Sequence, residues 1–143
     1  MFIGVGRGVC GTAVARRLRA FGMSVTYHNR HPVAPAVAEG LGAELLGLDE
    51  LLATSDVVSL HCPYTPDTHH LVDAARLSQM KSTAFLVNTA RGPIVDEAAL
   101  VDALEAGTIA GAALDVYEHE PQVHPGLPDR DDVVLVPHLG SAT

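Results

Sequence analysis

Short apolar runs alternate along this chain with longer stretches whose apolar residues recur at helical spacing. Runs rich in Val, Ile, Leu and Ala predict strands at Phe2–Val5, Ser24–His28, Val57–His61, Ala84–Asn88, Ile109–Asp115 and Val133–Val136. Between them, helical patterns predict helices at Gly11–Phe21, Asp49–Thr54, Asp73–Gln79 and Asp96–Ala106, with Asp49, Asp73 and Asp96 placed as helix caps. A weaker pattern at Val33–Glu39 predicts one short helix, followed by a minor strand near Ala43–Leu45. The stretch Glu118–Arg130 carries Pro121, Pro125, Gly126 and Pro128 and reads as an ordered surface loop. Strands that alternate with crossover helices form parallel sheets, so the pattern implies an α/β chain with one doubly wound domain.

The first strand runs directly into Gly6-Arg7-Gly8-Val9-Cys10-Gly11. A G-x-G-x-x-G run between a strand and a helix is the fingerprint of a dinucleotide-binding, Rossmann-type sheet. Gly6 allows the tight turn, Gly8 the close approach of backbone to pyrophosphate, and Gly11 the close packing of helix on strand. The free N–H groups at the helix start then face the phosphates.

The end of the second strand refines the cofactor. An acidic residue about 20 residues past the glycines would bind the ribose hydroxyls of NAD. This chain has Asn29 followed by Arg30. A neutral amide removes repulsion against a 2′-phosphate, and a guanidinium pairs with it bidentately. NADP(H) is therefore favoured, with NAD(H) still possible. The alternative for Arg30 is a solvated loop residue.

Composition narrows the partners. The 143 residues carry a formal charge of −8, and the largest basic cluster is the Arg16-Arg17-Leu18-Arg19 face of one helix, which argues against nucleic acid. No apolar run approaches the roughly 20 residues of a membrane span, so no membrane partner is expected. Cys10 and Cys62 form no disulfide framework, which favours a reducing cytoplasm. The eight histidines are scattered and His69-His70 are adjacent, so no metal site is expected.

Chemistry-bearing residues collect after the later strands. Arg91, in Asn88-Thr89-Ala90-Arg91-Gly92-Pro93, follows a strand end where doubly wound sheets bind ligands, and its fork suits a substrate carboxylate. Asp115-Val116-Tyr117-Glu118-His119-Glu120-Pro121 brings carboxylates to the same rim, and Pro137-His138-Leu139-Gly140-Ser141 brings a histidine. Arg, Glu and His on one rim point to acid–base chemistry on a carboxylic acid. The residues alone do not choose between Glu118 and Glu120.

These motifs, with His61-Cys62-Pro63-Tyr64-Thr65-Pro66-Asp67-Thr68, stand in the order found in the D-isomer-specific 2-hydroxyacid dehydrogenases, which the chain resembles over essentially its whole length. The resemblance implies Arg91 as the substrate-binding arginine, Glu120 as the glutamate that orients the histidine, and His138 as the acid/base. It places Asp115 near the nicotinamide carboxamide. It also implies that the cofactor groove is lined by His61, Cys62, Pro63 and Thr68, by Thr89 and Ala90, and by His138, Gly140 and Ser141. The Asn29-Arg30 pair looks most like members that reduce glyoxylate and hydroxypyruvate with NADPH. Formate-oxidising relatives carry glutamine where Pro137 stands. Val9 and Cys10 depart from the family's usual Arg and Ile, with Arg7 close enough to substitute.

In the implied reaction a small 2-oxo acid is clamped by Arg91, receives a hydride at its carbonyl carbon, and takes a proton from His138 while Glu120 stabilises the imidazolium. A homodimer formed through this domain is also implied. Residues 1–143 are expected to be the NAD(P)-binding domain alone, without the family's substrate domain. The alternative is a truncated, catalytically inactive NAD(P)-binding module.

Overall fold

Seven strands pair side by side, all parallel, in the order β3-β2-β1-β4-β5-β6-β7. The computed structural model describes residues 2–5 and 9–141. In chain order the strands are β1 (Phe2–Val5), β2 (Val25–His28), β3 (Ala43–Leu45), β4 (Val57–Leu60), β5 (Phe85–Asn88), β6 (Gly111–Leu114) and β7 (Val133–Leu135). The helices are α1 (Val9–Ala20), α2 (Pro35–Leu41), α3 (Leu48–Thr54), α4 (Ala74–Leu77) and α5 (Glu97–Glu105). The expected doubly wound α/β sheet is present. Gly6, Arg7 and Gly8 of the glycine fingerprint lie outside the described residues.

The strand order reverses between β1 and β4, where the chain leaves one half of the sheet and begins the other. Ligands of doubly wound sheets bind beyond the carboxyl ends of the strands at such a switch point. Register makes that rim level. Val5 pairs with both His28 and Leu60, Leu60 with Asn88, Asn88 with Leu114, and Leu114 with Leu135. Every loop that follows these residues therefore emerges along one edge.

Two apolar clusters hold the helices in place. The larger joins Leu51 and Leu52 of α3, Leu77 of α4 and Leu100 and Leu104 of α5 to Val58, Leu60, Leu86 and Leu114 of the sheet. The smaller joins Ala15 of α1 and Leu41 of α2 to Val25. Leu127 is almost fully buried in the larger cluster, so the 118–130 loop is pinned to the core by its own side chain.

Several expected boundaries move. Helix α3 is capped by Gly47 rather than Asp49, which lies inside the first turn with Glu50. There the two carboxylates still face the positive end of the helix, so the same residues serve a different position. Asp73 and Asp96 do cap, accepting from the Arg76 and Ala99 N–H groups. Helix α4 is only four residues long because Ser78 already ends it. Helix α2 starts two residues late, at Pro35, whose fixed φ suits a first turn, and closes on Gly42 at φ 53°.

Candidate functional site

Beyond the ends of β2 and β4 lies a cavity of about 540 Å³, lined by His28, Asn29, Arg30 and His31 on one side and by Cys62, Pro63, Thr65, Asp67, Thr68 and Leu71 on the other. Five expected cofactor residues, Asn29, Arg30, Cys62, Pro63 and Thr68, thus face one space. The far wall is stiff. Thr65 and Thr68 form a reciprocal cap around a 3-10 turn at Pro66–Thr68, and the Thr68 hydroxyl also donates to the Pro63 carbonyl at 2.9 Å. Burial lowers the His61 pKa and raises that of the Cys62 thiol, so both are neutral at pH 7. His61 lies against the Ser59 hydroxyl at 3.0 Å.

One buried atom indicates what this space suits. The Asn29 amide Nδ2 is shielded from solvent with no hydrogen-bond partner among the described residues. A buried donor without a partner costs about 1–3 kcal/mol, and a ribose oxygen would relieve it. Neutral Asn29, cationic Arg30 and a switch-point cavity fit the adenosine end of a dinucleotide. Cys10, in the first turn of α1, is exposed. Val9 starts that helix, and Gly11 lies within it.

Along the rim, Asn88 builds the turn that presents Arg91. Its amide donates to the Arg91 carbonyl at 3.0 Å, and its oxygen accepts from the Ala90 N–H at 3.1 Å. Thr89 and Arg91 are exposed on this turn, and Ala90 is half-buried. Gly92 has no room for a side chain: a Cβ there would lie 1.8 Å from the Tyr117 carbonyl oxygen. The Arg91 turn therefore rests directly on the backbone that leads to Glu120.

Glu120 and His138 meet. The His138 Nδ1 lies 3.0 and 3.1 Å from the two Glu120 oxygens. Glu120 also accepts from the Tyr117 N–H at 3.1 Å. The His138 hydrogen bond, then that N–H, and further the charges of His138 and Arg91 hold its carboxyl below the usual range. An ionised carboxylate only accepts, so Nδ1 carries the hydrogen, and Nε2 has no hydrogen-bond partner among the described residues. His138 has φ 53°, a left-handed conformation uncommon outside glycine. The next turn is anchored by Asp115, whose oxygens accept from the Leu139 and Gly140 N–H groups at 2.6 and 2.9 Å. Both Asp115 oxygens are thus already engaged, and Ser141 closes this short 3-10 turn. The Tyr117 hydroxyl donates to the Val136 carbonyl at 2.8 Å, tying the Glu120 loop to the segment that leads from β7 to His138.

Glu118, the rival carboxylate, turns elsewhere. It meets the His70 Nε2 at 2.6 Å and accepts from the Glu97 N–H at 3.3 Å, while its own N–H donates to the Glu97 carboxylate at 2.7 Å. Burial raises its pKa, but the His70 and Glu97 contacts outweigh this and leave it lowered. Gly92, Tyr117 and Asp67 lie inside the sequence motifs without a role of their own being legible there, although Gly92, between an arginine and a proline, hints at a close contact.

Among the described residues no helix is long and apolar enough to cross a membrane, and no cluster of three or more His, Cys, Asp or Glu could hold a metal ion.

The family profile described as D-isomer specific 2-hydroxyacid dehydrogenase, NAD binding domain, matches residues 2–140. The chain belongs to this family. It is 53% identical over 139 residues to a glyoxylate reductase of Thermococcus onnurineus, covering 97% of this chain and 41% of that protein. Its backbone superposes with a TM-score of 0.96 on the apo D-mandelate dehydrogenase of Rhodotorula graminis, at 39% identity and covering 99% of this chain and 42% of that one. A further likeness is to an NADPH-dependent glyoxylate/hydroxypyruvate reductase of Sinorhizobium meliloti solved with NADP and malonate. There the TM-score is 0.90 and the identity 43%, over 99% of this chain and 44% of that one. The chain therefore spans about two-fifths of the length of these relatives. The fold and the NAD-binding character of the domain follow from the match; the parallel sheet with its switch-point cavity is the physical form they take.

Proposed function

We propose that this chain is the coenzyme-binding domain of an NADP(H)-dependent reductase of small 2-oxo acids, with glyoxylate or hydroxypyruvate as substrate. The observation that carries the reading is the Glu120–His138 contact, made on the same rim as Arg91 and the Asn29-Arg30 cavity. Asn29 and Arg30 would hold the adenosine end, with Arg30 on a 2′-phosphate, and Cys62, Pro63 and Thr68 would form the opposite wall. Support for NADP comes from that amide–guanidinium pair and from the NADPH-dependent relative of S. meliloti.

When bound, the nicotinamide coenzyme supplies the hydride that reduces the carbonyl carbon. Arg91 grips the substrate carboxylate through its fork and turns the carbonyl toward the coenzyme. Protonated His138 gives its Nε2 proton to the carbonyl oxygen as that oxygen becomes a hydroxyl. Glu120 fixes the ring through Nδ1 and stabilises its charged form. Asp115 holds the turn after His138, so the imidazole stays over the site. The working form is a homodimer in the cytoplasm, formed through this domain.

The test is NADPH consumption by the purified gene product with glyoxylate and with hydroxypyruvate. The reading expects turnover with at least one of them and faster reaction with NADPH than with NADH. Tight NADPH binding with no turnover on either acid would instead support a non-catalytic binding module.

A further inference from the structure

Arg30 does not stand alone at the cavity mouth. Its Nη2 lies 2.7 Å from Oδ2 of Asp67, and both side chains are about 70% exposed. The two residues come from opposite walls of the same cavity. Asp67 belongs to the 3-10 turn that Thr65 and Thr68 lock, with the Thr65 N–H held by the Thr68 hydroxyl at 2.8 Å. Arg30, by contrast, extends on a long flexible stem. If Arg30 moves to meet a ligand, Asp67 stays at the cavity mouth on its locked turn.

This arrangement has opposite consequences for two ligands. A 2′-phosphate carries about −1.5 to −2 charges and would be held by Arg30 only a few ångströms from the negative charge anchored on that turn. An unphosphorylated ribose presents hydroxyl donors, which a carboxylate accepts without penalty. We propose that Asp67 is a specificity-determining residue: it weakens NADPH binding at Arg30, leaves NADH binding nearly untouched, and so narrows the preference between the two coenzymes. The inference rests on the reading of Arg30 as the phosphate ligand. For a phosphate about 6 Å from the carboxylate in a solvent-exposed site, the repulsion corresponds to roughly tenfold in affinity.

The test is a set of dissociation constants for NADPH, NADH and adenosine 2′,5′-bisphosphate, measured at low ionic strength for the full chain, Asp67→Asn and Arg30→Ala. Asparagine keeps the size of the side chain on an exposed turn, so the fold is preserved. Asp67→Asn is expected to tighten NADPH and the bisphosphate roughly tenfold, with less than about twofold change for NADH, and the gain shrinks as salt is added. Unchanged or weaker NADPH binding, or equal tightening of both coenzymes, overturns the proposal. Arg30→Ala separates the two levels. If it weakens NADPH selectively while Asp67→Asn has no effect, the role of Asp67 alone is wrong. If it leaves NADPH untouched, the phosphate reading of Arg30 fails and the role of Asp67 fails with it.

Discussion

Replacing Gly92 by alanine perturbs the site through one methyl group. That methyl would sit 1.8 Å from the Tyr117 oxygen, 1.9 Å from its carbonyl carbon and 2.5 Å from the Glu118 nitrogen, whereas ordinary contact begins at 3.4 Å. All three atoms are backbone, so no side chain can swing aside. The Arg91 turn and the Tyr117–Glu120 segment must separate by about 1.6 Å. Overpacking of this kind costs about 1–3 kcal/mol. Strain on the reciprocal backbone-to-carboxylate hydrogen bonds between Glu97 and Glu118 adds to it, since Glu118 lies in the displaced segment. A urea midpoint lower by the equivalent of about 2–4 kcal/mol is expected. The same displacement moves Arg91 relative to Glu120 and His138, and an error near 1 Å in a reacting assembly costs about 100-fold in rate. Gly40→Ala is the matched control. It lies in α2 with open space around it, so alanine should be neutral or stabilise by up to about 1 kcal/mol. If Gly92→Ala unfolds at the wild-type urea concentration and keeps wild-type turnover, the close backbone contact is wrong.

Other consequences follow from the same geometry. Stability should fall with acid in two windows. His61, its pKa lowered by burial, binds its proton more readily when unfolded, so its contribution is present above about pH 6.5 and lost below it. Glu118 and Glu120, with lowered pKa values, contribute above about pH 4.3 and lose that contribution as pH falls through their folded values. Urea midpoints recorded from pH 8 to pH 3 (about the accessible range) check both, and a His61→Gln variant should flatten the upper window. Thiol-reactive probes should label exposed Cys10 well before Cys62, whose thiol is buried and shifted upward; equal labelling rates in the native chain would contradict the burial.

Much of the fold is legible in the sequence because each β–α repeat carries its own signals. The apolar runs locate six strands, and Asp73 and Asp96 mark real caps. Asp49 misleads because an N-cap aspartate and a first-turn aspartate look alike in sequence; only the backbone of Gly47, extended at φ −60° and ψ 151°, separates them. The site is legible where a motif follows a strand end, as at Arg91 and His138. It is not legible where the partner is distant along the chain. Asp67 reaches Arg30 across 37 residues, and His70 reaches Glu118 across 48. The choice between Glu118 and Glu120 belongs to the second kind: residue types leave it open, and the partners His70 and His138 divide the two carboxylates in space.

The proposed role of Glu120 and His138 as the proton-transfer pair of a 2-oxo acid reductase can be checked with His138→Asn in the purified gene product. Asparagine tolerates the left-handed backbone that His138 adopts, so the turn capped by Asp115 is retained. With glyoxylate or hydroxypyruvate and NADPH, kcat is expected to fall about 10²- to 10⁴-fold while the dissociation constant for NADPH stays within about twofold. Wild-type turnover in that variant would contradict the assignment of His138, and with it this account of the site.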